Sequence, residues 1–134
     1  MKTFVLDASA WLRLFLCDGP AVPGLDQAAQ EVETGFASFA APELVVVEAG
    51  HALIRKVRRR LIRQADWPNL WQDIRRVPIN LLPVDEHIDV AMELALRHNL
   101  SAYDALYLAV AVHLGAKLFT ADDTLAKVAR AAGV

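Results

Sequence analysis

Cysteine is nearly absent: Cys17 stands alone among 134 residues. One thiol can form neither an internal disulfide nor a thiolate metal cage, so a disulfide-stapled scaffold and a structural zinc module are excluded. The expected location is the reducing cytoplasm. No secretory core follows the start, because Met1 and Lys2 run straight into Thr3–Leu6. The longest run free of charge, Ala105–Ala116, is shorter than the roughly 20 residues of a spanning helix. No membrane contact is therefore expected. Positive charge is not in excess either, with 14 Lys and Arg against 16 Asp and Glu. Nucleic acid would have to bind a local basic patch, not a global field. The six glycines form no phosphate-cradling loop, which disfavours nucleotide hydrolases. His51, His87, His98 and His113 have no H-x-x-x-H spacing, so zinc is not expected.

What the chain does have is apolar residues, at 55%, with a mean hydropathy of +0.29. Disorder is excluded as the main state. The length suits one domain over residues 1–134, burying about two-thirds of its unfolded surface. So much apolar surface calls for a sheet covered on both faces, an oligomer interface, or both.

Short apolar runs at Thr3–Leu6, Phe36–Ala40, Ile79–Leu82 and Lys117–Thr120 read as strands. Between them lie helical patterns at Ala8–Leu16, Leu25–Thr34, Glu43–Arg63, Asp66–Arg76, Asp85–His98 and Ser101–Leu114, with a last one at Asp123–Ala132. Cys17–Gly24 reads as a loop. No hairpin signal joins two strands, so the pattern predicts an α/β fold with a parallel sheet between helix layers.

Ligands of open parallel sheets sit beyond the carboxyl ends of the strands. Asp7 and Asp122 each fall just after a strand, where a helix N-cap is the plainer explanation. Asp104 opens a run with no other charge until Lys117 and shares a face with Leu108 and Ala111. Its plainer role is the acid of a capping box with Ser101. Glu48 lies inside a helix, after Val45–Val47, on a stripe with Leu44, Val47 and Ala52 that is expected to face the sheet. No cap explains it, which leaves a buried ion pair or a functional role. Four carboxylates from four segments repel one another if they converge. A hard divalent cation relieves that repulsion, and oxygen-only donors select Mg²⁺ or Mn²⁺.

At these residues the sequence resembles the PIN-domain ribonucleases, specifically the VapC-type toxins of type II toxin–antitoxin (VapBC) pairs. Val5–Ala10 resembles the opening D-x-S/T motif, and Ala41–Leu44 leading to Glu48 resembles the second. Ser101–Ala109 (SAYDALYLA) resembles the third and is the most specific; Gly115–Asp122 resembles the closing T-x-D. The resemblance implies a three-layer α/β/α sandwich with a central parallel sheet of four to five short strands. It carries Asp7, Glu48, Asp104 and Asp122 over as catalytic, metal-binding acids for Mg²⁺ or Mn²⁺, supported by Ser9 and Thr120. Asp7 and Asp104 would be direct ligands, and Glu48 would orient or activate water. The implied activity is an endoribonuclease that hydrolyses RNA, tRNA or rRNA, leaving a 5′-phosphate. The implied partners are a VapB-type antitoxin and a second copy in a homodimer. Two departures stand out: His51 where the family often has Asn, and a short C-terminus that puts the final strand in question. The alternative is a catalytically inactive PIN-like domain that binds RNA or a partner. A receiver-type domain would need an acceptor Asp where Leu82–Pro83 stands, and a D-x-D phosphatase would need an acid at Ser9.

Residues 55–63 hold six bases and no acid: Arg55, Lys56, Arg58, Arg59, Arg60 and Arg63. A solvated helix face is the plain explanation. Beside an acidic metal site, Arg55, Arg58, Arg59 and Arg60 become candidates for RNA or antitoxin binding. Trp67 and Trp71 fall on an apolar stripe and read as packing residues. Trp11 reads as core or partner-facing, and Cys17 as an inert small hydrophobe.

Overall fold

The computed structural model describes residues 1–134. The chain runs through β1 (Lys2–Leu6), α1 (Ala8–Arg13), α2 (Leu25–Glu33), β2 (Ala37–Pro42), α3 (Leu44–Arg58) and α4 (Trp67–Arg75). It continues through β3 (Ile79–Leu82), α5 (Ile88–His98), α6 (Ala102–Leu114), β4 (Lys117–Phe119) and α7 (Asp123–Ala131). The four strands form one parallel sheet in the order β3-β2-β1-β4. Helices flank it in a three-layer α/β/α arrangement. No fifth strand follows α7, so the sheet has the lower of the two expected counts.

The order follows from where the chain turns back. It steps outward from β1 to β2 to β3, then crosses to the far side of β1 to lay down β4. β1 and β4 are neighbours where the strand order reverses, and a crevice opens beyond their ends. Val5 pairs with Ala40 on one side and Leu118 on the other. Both Val5 and Leu6 are fully buried. The neighbouring α6 packs against β1, β2 and β4. Seven consecutive residues of it, Ala105–Ala111, are buried, as expected for a helix apolar all round. Trp11 belongs to the core, and its indole N–H donates to the Ile74 carbonyl at 3.1 Å. Trp71 is half-buried beside it, with ring centroids 6.5 Å apart.

Three details differ from the sequence reading. First, α3 stops at Arg58 instead of Arg63: Arg59 caps it, and Arg60 turns left-handed at φ 61°. The basic run has no acid within a turn to support further helix. Second, the buried stripe of α3 is Val45, Ala49 and Leu53; the predicted stripe of Leu44, Val47, Glu48 and Ala52 faces the crevice instead of the sheet. Third, Cys17 is exposed, not packed. The loop that carries it is pinned by Asp18, which pairs with Arg13 and Lys56. No helix is long and apolar enough to cross a membrane.

Candidate active site

The crevice holds a cavity of about 640 Å³. Asp7, Glu48, Asp104 and Asp122 all line it, with Ser9, His51, Arg55 and Tyr107. The sequence had scattered these acids over more than a hundred residues. β1 delivers Asp7, β4 delivers Asp122, and α3 and α6 bring Glu48 and Asp104 across the gap.

Asp7 is the most constrained. It is only 6% exposed. Its Oδ1 accepts from the Ala10 N–H at 2.8 Å, as an N-cap for α1, and from the Ser9 hydroxyl at 2.6 Å. Its Oδ2 accepts from the Thr120 hydroxyl. Ser9 and Thr120 also tie the two strand ends together. The Ser9 Oγ accepts from the Ala121 N–H at 2.9 Å, and the Thr120 Oγ1 from the Asp122 N–H at 3.0 Å. Asp122 caps α7 by accepting from the Leu125 N–H at 2.9 Å. Asp104 sits in the first turn of α6, its N–H bound by the Ser101 hydroxyl at 3.1 Å. The capping explanations for Asp7 and Asp122 therefore hold, and the same side chains also line the cavity.

Burial pushes the Asp7 carboxyl above its usual pKa, against the three hydrogen bonds that favour its charged form. Burial also raises Glu48, helped by the charges of Asp104 and Asp7. Asp104 is raised by burial and then by Asp122 and Asp7. No Lys or Arg lies within ion-pairing distance of any of the four acids. The buried ion pair considered for Glu48 is thus not formed. Glu48 is held by Tyr107, whose hydroxyl donates to Oε1 at 2.5 Å. Burial and the nearby acids drive the Tyr107 pKa far upward, so it stays a protonated donor.

A hard divalent cation fits this donor set. Its side-chain oxygens are carboxylate and hydroxyl, and no ion pair relieves their mutual repulsion. In this conformation, no three of the acids converge on one point closely enough to form a ready-made ion site.

A PIN domain model matches residues 4–131. The chain is a PIN-domain protein. It is 35% identical over 127 residues to ribonuclease VapC9 of Mycobacterium tuberculosis, covering 95% of this chain and 91% of the relative. Against ribonuclease VapC3 of Pyrobaculum aerophilum it is 33% identical over 88 residues, 63% of this chain and just under two-thirds, 66%, of the relative. The crystal structure of PAE2754 from Pyrobaculum aerophilum superposes with a TM-score of 0.69 at 24% identity, covering 92% of this chain and 77% of that one. That likeness concerns the fold.

Within this PIN domain the basic run is spread over three hollows. Arg55 alone of the four candidate arginines lines the acid cavity. Arg58 lines a separate groove of about 480 Å³ with Trp67 and Trp71, and also a third depression with Arg60 and Arg63. Arg59 caps α3 in solvent. Tyr107 is the residue that sequence reasoning missed. Its signal was a lone hydroxyl three places after Asp104 in an otherwise apolar run.

Proposed function

We propose that this PIN-domain protein is the toxin of a type II toxin–antitoxin pair, a Mg²⁺- or Mn²⁺-dependent endoribonuclease acting in the cytoplasm on tRNA or rRNA. The observation that supports it best is four carboxylates from four elements around one cavity, none of them in an ion pair. An inactive binding domain has no use for that electrostatic cost. The names of the VapC ribonucleases it resembles support the reaction.

Asp7, Asp104, Glu48 and Asp122 would hold the cation. When bound, it supplies Lewis-acid stabilisation of phosphoryl charge and makes water easier to deprotonate. Asp7 is the fixed anchor, since Ser9, Ala10 and Thr120 leave its carboxylate no freedom to rotate. Glu48 has one oxygen engaged by Tyr107, which leaves the other for a water molecule. Its raised pKa suits a group that takes the proton from water as it attacks phosphorus in line. The P–O bond to the 3′ oxygen breaks, its electron pair stays on that oxygen, and a proton from solvent water completes the 3′ hydroxyl beside a 5′-phosphate. A VapB-type antitoxin and a homodimer complete the reading. Val90, Met92 and Leu96 of α5 stay exposed, at 50%, 54% and 87%, as candidates for contact with a second copy.

The test is cleavage of total tRNA and rRNA with Mg²⁺ or Mn²⁺ and with chelator. Asp104→Asn is expected to cut at least about 100-fold more slowly than the parent. Equal cutting by the variant, or cutting that ignores chelator, would overturn the assignment.

A further inference from the structure

The positive residues of α3 have separate fates. Lys56 is spent on Asp18. Arg58 and Arg60 line other hollows, and Arg59 caps the helix. Arg55 is different. Glu48, His51, Ala52 and Arg55 recur at i, i+3, i+4 and i+7, which puts them on one face of the helix. All four line the acid cavity. Arg55 is the only Lys or Arg in that wall, and it is exposed.

It is not the counter-ion of the acids. Arg55 forms no ion pair with any of them, and none of Asp7, Glu48 and Asp104 is held down by its charge. A guanidinium that shares a wall with carboxylates yet stands out of pairing range has its donors unspent. The space between suits an anion that needs both neighbours, a cation at the acids and a planar fork of N–H donors beside it. An RNA backbone has that form, with phosphates at regular spacing and two non-bridging oxygens on each.

We infer that Arg55 is a substrate-positioning residue that grips an RNA phosphate adjoining the one cut, as a bidentate partner. This rests on the nuclease reading above. Arg55 acts on binding of the strand, while the acids act on the bond that breaks. It also gives a polyanion one attractive contact in an otherwise negative cavity.

The experiment uses the full chain, Mn²⁺ and a single-stranded RNA that the parent cuts. Arg55→Gln is expected to raise KM about tenfold and leave kcat within about twofold. The slope of log kcat/KM against log salt should become shallower by about 0.7, one phosphate contact on a single strand. Arg55→Lys should restore the salt slope but not KM, because lysine supplies charge without the fork. Mn²⁺ should raise the Tm of Arg55→Gln as much as that of the parent. RNA binding by fluorescence anisotropy, measured in an Asp104→Asn background, should weaken about tenfold when Arg55→Gln is added. Unchanged KM, salt slope and anisotropy would overturn the inference, as would a fall in kcat alone or loss of the Mn²⁺ effect. Asp104→Asn that still cuts would refute the nuclease reading instead, and the anisotropy measurement would still report on Arg55.

Discussion

Replacing Asp7 by Ala and by Asn should move stability in different directions while both stop cleavage. Alanine removes an N-cap of α1, worth about 1 kcal/mol. It also leaves the hydroxyls of Ser9 and Thr120 without their acceptor, at about 1 kcal/mol or more each in this poorly hydrated corner. The sum is about 3 kcal/mol, or a Tm lower by roughly 10 °C for a domain of this size. Asparagine keeps an oxygen for Ala10 and Ser9 and turns its amide toward Thr120. It loses one charged hydrogen bond but removes a buried negative charge that Asp122 opposes. The net change should lie within about 1 kcal/mol of the parent, on the stabilising side once Asp7 of the parent is ionised. The sign with pH follows from the raised pKa. Protonated Asp7 suits the fold, so its contribution is full below the ordinary value of 3.8 and is lost as pH rises through the folded value. Thermal melts by circular dichroism in chelator, over a pH series starting near the ordinary value of 3.8, should show the advantage of Asp7→Asn over the parent growing as pH rises. An asparagine variant as unstable as the alanine one, or an advantage independent of pH, would refute the reasoning.

Tyr107→Phe keeps the ring in the core and deletes one oxygen. Because Glu48 is half-buried and can recruit water, stability should fall by no more than about 1 kcal/mol, while kcat drops about 10-fold or more at constant KM, read by steady-state RNA cleavage. An unchanged kcat would remove Tyr107 from the catalytic arrangement. Arg60→Gly relieves a left-handed backbone at φ 61° and should raise the Tm by a few degrees, about 1 kcal/mol, with cleavage unaffected. A lower Tm would show that the turn carries no strain.

The strands were legible because short apolar runs end abruptly at Asp7, Pro42, Leu82 and Thr120, and each is followed by a helical period or a proline. The placing of Asp7 and Asp122 beside one cavity followed from a general rule of parallel sheets, since residues just past β1 and β4 share a crevice once the strands are neighbours. The orientation of α3 was not legible. Its first two turns are apolar on adjacent faces, so Leu44–Val47–Ala52 and Val45–Ala49–Leu53 compete, and only tertiary packing decides which meets the sheet. The bond from Tyr107 to Glu48 spans 59 positions and has no local signature. The exposure of Cys17 depends on how Arg13 and Lys56 hold Asp18, a contact between distant segments that no periodicity announces.

Placing β1 at the centre of the sheet has a consequence in time. The hydroxyl that holds Asp7 arrives 113 residues after it. Synthesis runs from residue 1, so a ribosome carrying most of this chain holds only half of the apparatus. Glu48 and Asp7 emerge early, but the helix that holds Glu48 through Tyr107 and the turn that holds Asp7 through Thr120 come late. Asp7 therefore gains its Thr120 partner only when β4 slides in beside β1.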